Sequence, residues 1–243
     1  MSPLEPGRPD PTGVRAHHAL QRGYAAYPRA TAAALFAALA TVRLLGAFSQ
    51  SLMVVSVVLT PLVLLVLPRA AWATVGLRPA VSARRVAEGI AVVVASYALS
   101  VGACVLLVGT GRDNWALGLR TLVVDTAPAA PAGLVALGAV LVLGLLVPLA
   151  EETCFRGVLH TTLANRHGGP VAVVVTAAAW ALVHLGDYGL RPFDGTVIAG
   201  VLPSVFLMGL ALGFCRVRTG SVYACVLAQG VANLLLLGWV LTW

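Results

Sequence analysis

Long apolar runs separated by short polar breaks occupy most of this chain, at roughly 31–48, 50–67, 86–109, 132–152, 170–187, 195–215 and 220–242. Most of them reach the ~20 residues that a helix needs to cross a hydrocarbon core. The pattern predicts an all-α, polytopic membrane helix bundle of about seven transmembrane helices, with six or eight as the bounds. Residues 1–28 are polar, rich in Pro and Arg, and hold no apolar stretch followed by a cleavage site, so they read as a disordered cytoplasmic tail rather than a signal peptide. Residues 29–130 then form the N-terminal transmembrane helices and 131–243 a C-terminal helix bundle. The 110–131 stretch, with its Gly, Asp and Pro, reads as an outer loop.

Composition points the same way. Of 243 residues, 59% are hydrophobic and 10% charged, against about 25% charged in a soluble domain. Water is a poor solvent for so apolar a surface, and the lipid bilayer is the expected partner. The formal net charge is +7 and every basic residue is Arg. These arginines lie between the apolar runs rather than in one patch, so nucleic acid is not an expected partner. With the tail inside, eleven arginines face the cytoplasm (Arg8, Arg15, Arg22, Arg29, Arg69, Arg78, Arg84, Arg85, Arg166, Arg216 and Arg218) and three face out (Arg112, Arg120 and Arg191). The bias predicts N-in and C-out. Arg43 and Arg156 remain inside spans, and Arg43 is expected to snorkel to the outer interface. The four cysteines form no CxxC pair and read as packing residues.

Ionisable groups inside a span cost about 2.5–3.5 kcal/mol each on insertion scales, and are functional by default. Glu151, Glu152 and Arg156 follow the apolar run 132–150, His184 lies deep in the fifth run, and Gln229 and Asn233 sit in the last. Glu152 and Arg156 are i,i+4 and pair on one face, and so are the two amides. A turn at 165–170 places Glu151 and His184 roughly 21–25 Å along their two helices, at the same depth. Gln229 and Asn233 fall about 14 and 20 Å into the last helix. Acid, imidazole and amides from three helices thus meet in one layer. A solvated Glu151, a packing His184, a structural Glu152–Arg156 pair and a helix-bonding Asn233 are the plainer alternatives. Trp180 reads as a packing residue, and His160 and His167 need no function.

Three blocks also carry a resemblance. Glu151-Glu152-Thr-Cys-Phe-Arg156 resembles the EExxxR motif of the CAAX-protease and bacteriocin-processing family, which includes the type II CAAX prenyl endopeptidases. Trp180-Ala-Leu-Val-His184 resembles the second motif, FxxxH, with Trp for Phe. Gln229-Gly-Val-Ala-Asn233 resembles the third, HxxxN, with Gln229 where the family usually has His. The resemblance covers roughly 132–238. It implies an intramembrane endopeptidase of the cell membrane, acting on a membrane-associated or lipidated peptide or protein. It further implies Glu151 as general base, His184 as its partner, Asn233 and Gln229 as oxyanion donors, and Glu152 and Arg156 as orienting groups. A carboxylate in a low-dielectric cavity is a stronger base than one in water.

A zinc site wants three protein ligands of the His, Glu or Asp kind. Only Glu151, Glu152 and His184 are near enough, and adjacent glutamates diverge by about 100° on a helix. The expectation is that no cofactor is required, with a divalent metal such as zinc possible but not favoured. The competing function is a catalytically impaired member acting as a membrane immunity or scaffold protein, because Gln229 cannot carry a proton. A transporter ranks last, for want of an internal repeat.

Overall fold

The computed structural model describes residues 22–46, 48, 67–126, 131–190 and 192–243. The apolar run 50–67 lies almost wholly outside them, as does most of the expected N-terminal tail. The other six runs are helices: α1 (Pro28–Gly46), α3 (Ala83–Val108), α5 (Ala132–His167), α6 (Gly169–Val183), α7 (Gly195–Thr219) and α8 (Val222–Val240). Two short helices join them, α2 (Arg69–Trp72) and α4 (Leu117–Thr126). Among the described residues there is no strand, and the all-α bundle expected from the apolar pattern is the fold. Six helices are long and apolar enough to cross a membrane. Leu106 and Leu107 on α3 are 89% and 83% exposed, as side chains facing lipid can be without cost.

Elements begin and end where local chemistry dictates. Asp194 caps α7, its side chain accepting from the Thr196 and Val197 amides. Ser221 caps α8, accepting from the Ala224 amide and donating its hydroxyl to the Arg78 carbonyl at 2.6 Å. Gly168, at φ +86°, makes the reversal between α5 and α6.

The inner face of α3 repeats at helical spacing through Gly89, Val93, Ser96, Tyr97, Ser100, Val101 and Cys104, all buried. It packs against α7 and α8. On α7 the pair Gly209 and Gly213 admits α6: a Cβ on Gly209 would stand 2.9 Å from the Ala177 Cα. Small residues four apart let two helix backbones approach, a common device in membrane bundles. The four cysteines are free and buried, within this packing.

The 110–131 stretch is more than an outer loop. Leu117–Thr126 is helical, and Trp115, Ala116 and Leu119 belong to the main core. The Asn114 side chain organises the entry, accepting from the Ala116 amide and donating to the Gly109 carbonyl. Apolar anchors behind an Asn turn pull this segment into the bundle.

Helix α5 is the element that builds the site. Its ladder loosens into π geometry twice, at Val142–Leu146 and at Thr153–Leu159. The first has a sequence cause. Pro148 has no N–H, so the α ladder cannot be completed through it, and the Val147 amide reaches back to the Val142 carbonyl instead. The Leu143 carbonyl thereby loses its usual partner on α5 and accepts from Asn233 Nδ2 of α8 at 3.0 Å. The second π turn works alike. The His160 amide bonds Phe155 and Gly157 carbonyls, and the intervening Arg156 carbonyl accepts from Arg216 Nε of α7 at 3.0 Å. Wide turns thus offer backbone acceptors that neighbouring helices use.

Candidate active site

Glu151 and Glu152 close the α-helical segment between the two π turns, and both are buried. Their side chains diverge, and each carboxylate has its own set of donors. The Glu151 Oε2 atom accepts from Trp180 Nε1 of α6 at 3.0 Å and from Gln229 Nε2 of α8 at 2.7 Å. Its Oε1 atom pairs with the Arg43 guanidinium of α1. One carboxylate therefore ties four helices together.

Glu152 pairs with Arg156 one turn on, Oε1 to Nη1 at 2.6 Å, as their spacing predicts. Both side chains are fully buried, and the guanidinium also donates from Nη2 to the Gly209 carbonyl at 3.1 Å. Its plane approaches the Trp180 ring, 4.8 Å from the centroid, a cation–π distance. The Gly209 that admits α6 thus also presents the carbonyl that holds Arg156.

His184 ends α6 in a single 3-10 turn through Gly186. Its Nδ1 lies 2.8 Å from the Trp180 carbonyl, and its ring meets the Trp180 ring edge-on at 4.6 Å. The Tyr188 ring lies nearly parallel to the imidazole, 10° between planes and 6.5 Å between centroids. Desolvation, then the neighbouring Asp187 charge, raises the Tyr188 phenol above its usual range, so it stays a neutral hydroxyl. The connection from His184 to Glu151 runs through Trp180, whose carbonyl faces the imidazole and whose indole N–H faces the acid.

Two sequence expectations are corrected here. Trp180 does more than pack, since its indole is a donor to the Glu151 carboxylate. Arg43 does not snorkel outward; it turns into the bundle and bridges Glu151 and Asp187. Glu151 is buried whether or not Arg43 reaches it, and a buried carboxylate left without a countercharge is strongly unfavourable, so the guanidinium turns inward. Gly186 permits the approach: a Cβ there would stand 2.7–2.9 Å from the Arg43 and Leu44 backbone. Arg43 and Asp187 were absent from the sequence candidates. Arg43 carries the same signal as the others, a charge inside an apolar run, whereas Asp187 is the last residue of its run, where a charge needs no partner.

The layer that the spacing predicts does form, with a shift in who meets whom. Trp180 rather than His184 touches Glu151. The π turn at Thr153–Leu159 fits an additional residue into its circuit. This draws Glu151 nearer the Gly168 turn by about one residue's rise, ~1.5 Å, in the direction of Trp180. Gln229 reaches the acid from α8 as expected of its face, while Asn233, one turn further on, reaches the α5 backbone at Leu143. Each primary amide retains a second N–H.

Among the described residues, no three His, Cys, Asp or Glu side chains come together in a way that could hold a metal ion. The donor set around Glu151 is an indole, an amide and a guanidinium, which bind a carboxylate and not a cation.

Residues 133–235 match the family model described as "Rce1-like: Type II CAAX prenyl endopeptidase Rce1-like". The match contains Glu151, Glu152, Arg156, Trp180, His184, Gln229 and Asn233, and leaves out Arg43. Comparison with curated proteins and comparison with solved structures each gave no match.

Proposed function

We propose that this chain, a member through residues 133–235 of the type II CAAX prenyl endopeptidase Rce1-like family, is an intramembrane endopeptidase whose Glu151 activates water. At family level it is a CAAX-type protease, and its six apolar helices make it a multi-pass membrane protein. The observation that carries the reading is Glu151 itself: a carboxylate deep in an apolar bundle, with donors converging on it from α1, α6 and α8.

In the proposed reaction Glu151 takes a proton from water, and the hydroxide oxygen attacks the scissile carbonyl carbon. The tetrahedral oxyanion is met by the second N–H of Gln229 or Asn233, the type of donor worth about 2.7–4 kcal/mol in oxyanion sites. Collapse breaks the C–N bond, and the proton passes to the leaving amine through Glu151 or His184. Glu152 and Arg156 act at one remove, since Arg156 packs against the Trp180 ring that donates to the base. Trp180 and Gln229 bind Oε2 and Arg43 pairs with Oε1; in the proposed step Oε1, with one partner against two, takes the proton. The substrate class is a membrane-associated or lipidated peptide or protein, and the cell membrane is the proposed setting.

A second reading has its own support. Gln229 is neutral, its amide donates to Glu151, and both Glu151 oxygens are engaged, as suits a catalytically impaired immunity or scaffold protein. Proteoliposomes separate the two. The enzyme reading expects wild type to cleave membrane peptides, with turnover reduced in Gln229→Ala. The impaired reading expects no cleavage by wild type and its appearance in Gln229→His.

A further inference from the structure

We propose that Arg43, on a helix outside the family-matched segment, is a positioning residue of this active site: its guanidinium clamps the Glu151 carboxylate to the turn that carries His184. The inference rests on the hydrolytic reading above for its catalytic consequence, and on geometry alone for the clamp.

The Glu151 Oε2 atom already accepts two hydrogen bonds, from Trp180 and Gln229. Its Oε1 atom faces Arg43 Nη2, and Arg43 Nη1 faces Asp187 Oδ2. The side chains of both Arg43 and Asp187 are 12% exposed. Asp187 is in turn bound to His184, donating its amide to the His184 carbonyl at 3.0 Å. The chain of contacts is therefore Glu151, Arg43, Asp187, His184. It links the proposed base to its partner through Oε1, while Trp180 links them through Oε2, so each carboxylate oxygen is tied to the His184 segment.

Helix α1 is docked firmly enough to aim the clamp. Ala32 and Leu39 are buried, and the Phe36 ring meets the Phe155 ring edge-on, 6.1 Å between centroids. Gly186 admits the end of α1 against the His184 turn. The guanidinium is a rigid fork, and two of its nitrogens can face two carboxylates at a set separation, which a lysine ammonium cannot do. Electrostatics ask for it as well. The layer holds the acids Glu151, Glu152 and Asp187 against Arg43 and Arg156, so without Arg43 two buried carboxylates lose their countercharge. Arg43 is the one charged partner of Oε1, which is otherwise buried without a hydrogen bond.

The full chain in proteoliposomes tests this in two arms. In the first, cleavage of a membrane peptide is followed for Arg43→Lys and Arg43→Ala. Arg43→Lys keeps the charge and is expected to lower kcat roughly 10–100-fold, the scale of a misplaced catalytic group, with KM little changed. Guanidinium ions, and not methylammonium, restore turnover to Arg43→Ala. Wild-type kcat in Arg43→Lys overturns the proposal, and so does faster turnover in Arg43→Ala, which marks a plug. The second arm needs no activity. Thermal unfolding of Arg43→Gln, Asp187→Asn and the double variant in detergent reports the coupling between them. The double variant is expected to lose less Tm than the singles summed, by roughly 2–8 °C; additive losses refute the clamp. If the coupling is present while wild type cleaves nothing, the hydrolytic reading fails and the clamp stands.

Discussion

Arg156→Ala is the substitution whose cost the structure specifies most closely. The side chain is fully buried and faces Glu152, whose carboxylate is also fully buried, at 2.6 Å. Truncation removes that ion pair, the 3.1 Å bond to the Gly209 carbonyl and the contact with the Trp180 ring. Breaking a buried pair by deleting one partner costs about 3–5 kcal/mol, because the other charge stays behind without a partner. A charged hydrogen bond is worth about 1.5–3 kcal/mol and a desolvated cation–π contact about 2 kcal/mol, but the three share one guanidinium and do not add. The expected loss is about 3–5 kcal/mol, or roughly 10²–10⁴ in the unfolding constant. Arg156→Met with Glu152→Leu removes both charges at similar volume, and is expected to lose far less than either single change, to within about 2 kcal/mol of wild type. Equilibrium unfolding in mixed micelles, followed by tryptophan fluorescence, measures all four corners. The reasoning is refuted if Arg156→Ala costs under about 1 kcal/mol, or if the double change costs as much as the single.

Three further outcomes follow from particular contacts. Gly230→Val would drive a side chain into the Gly144 carbonyl, separating α8 from α5; turnover should fall at least ~10²-fold as Gln229 and Asn233 withdraw, measured as kcat in proteoliposomes. Ser221→Ala deletes the α8 cap and the bond to the Arg78 carbonyl, and should cost about 1 kcal/mol in unfolding while kcat stays at wild type, because Gln229 lies two turns further into the helix. Pro148→Ala restores an amide donor to α5, and the Leu143 carbonyl then regains a partner there; Asn233→Ala should cost less in that background than in wild type, read as a thermal double-mutant cycle.

The bundle was legible because each span shows itself as a run of apolar residues long enough for a bilayer, and that signal is independent of tertiary detail. The layer of polar groups was legible too, since charges at 151, 152 and 156 inside such runs need partners, and helical spacing limits where those partners lie. Which side chain touches which was not. The offset that sets Trp180 against Glu151 involves the π turn at Thr153–Leu159, and no Pro or Gly-Pro signal announces it, whereas Pro148 marks only the turn before Glu151. Arg43 was visible as a charge in a span, but its inward turn depends on Gly186 letting α1 close against the His184 turn, a contact between residues 143 positions apart. The helix at Leu117–Thr126 hid behind turn-forming residues, while its anchor, Trp115, is a single large side chain with no periodic neighbours to announce it.

The proposed hydrolysis requires the buried Glu151 carboxylate to take the proton of the attacking water. Single-turnover cleavage of one membrane peptide in H₂¹⁸O, by wild type and by Glu151→Gln, measures this directly. Heavy oxygen in the new C-terminal carboxyl of the wild-type product, with the Gln variant slower by roughly 10²–10⁴-fold, is the predicted result. Equal rates for the two proteins, or a product that forms without oxygen from solvent, would contradict it.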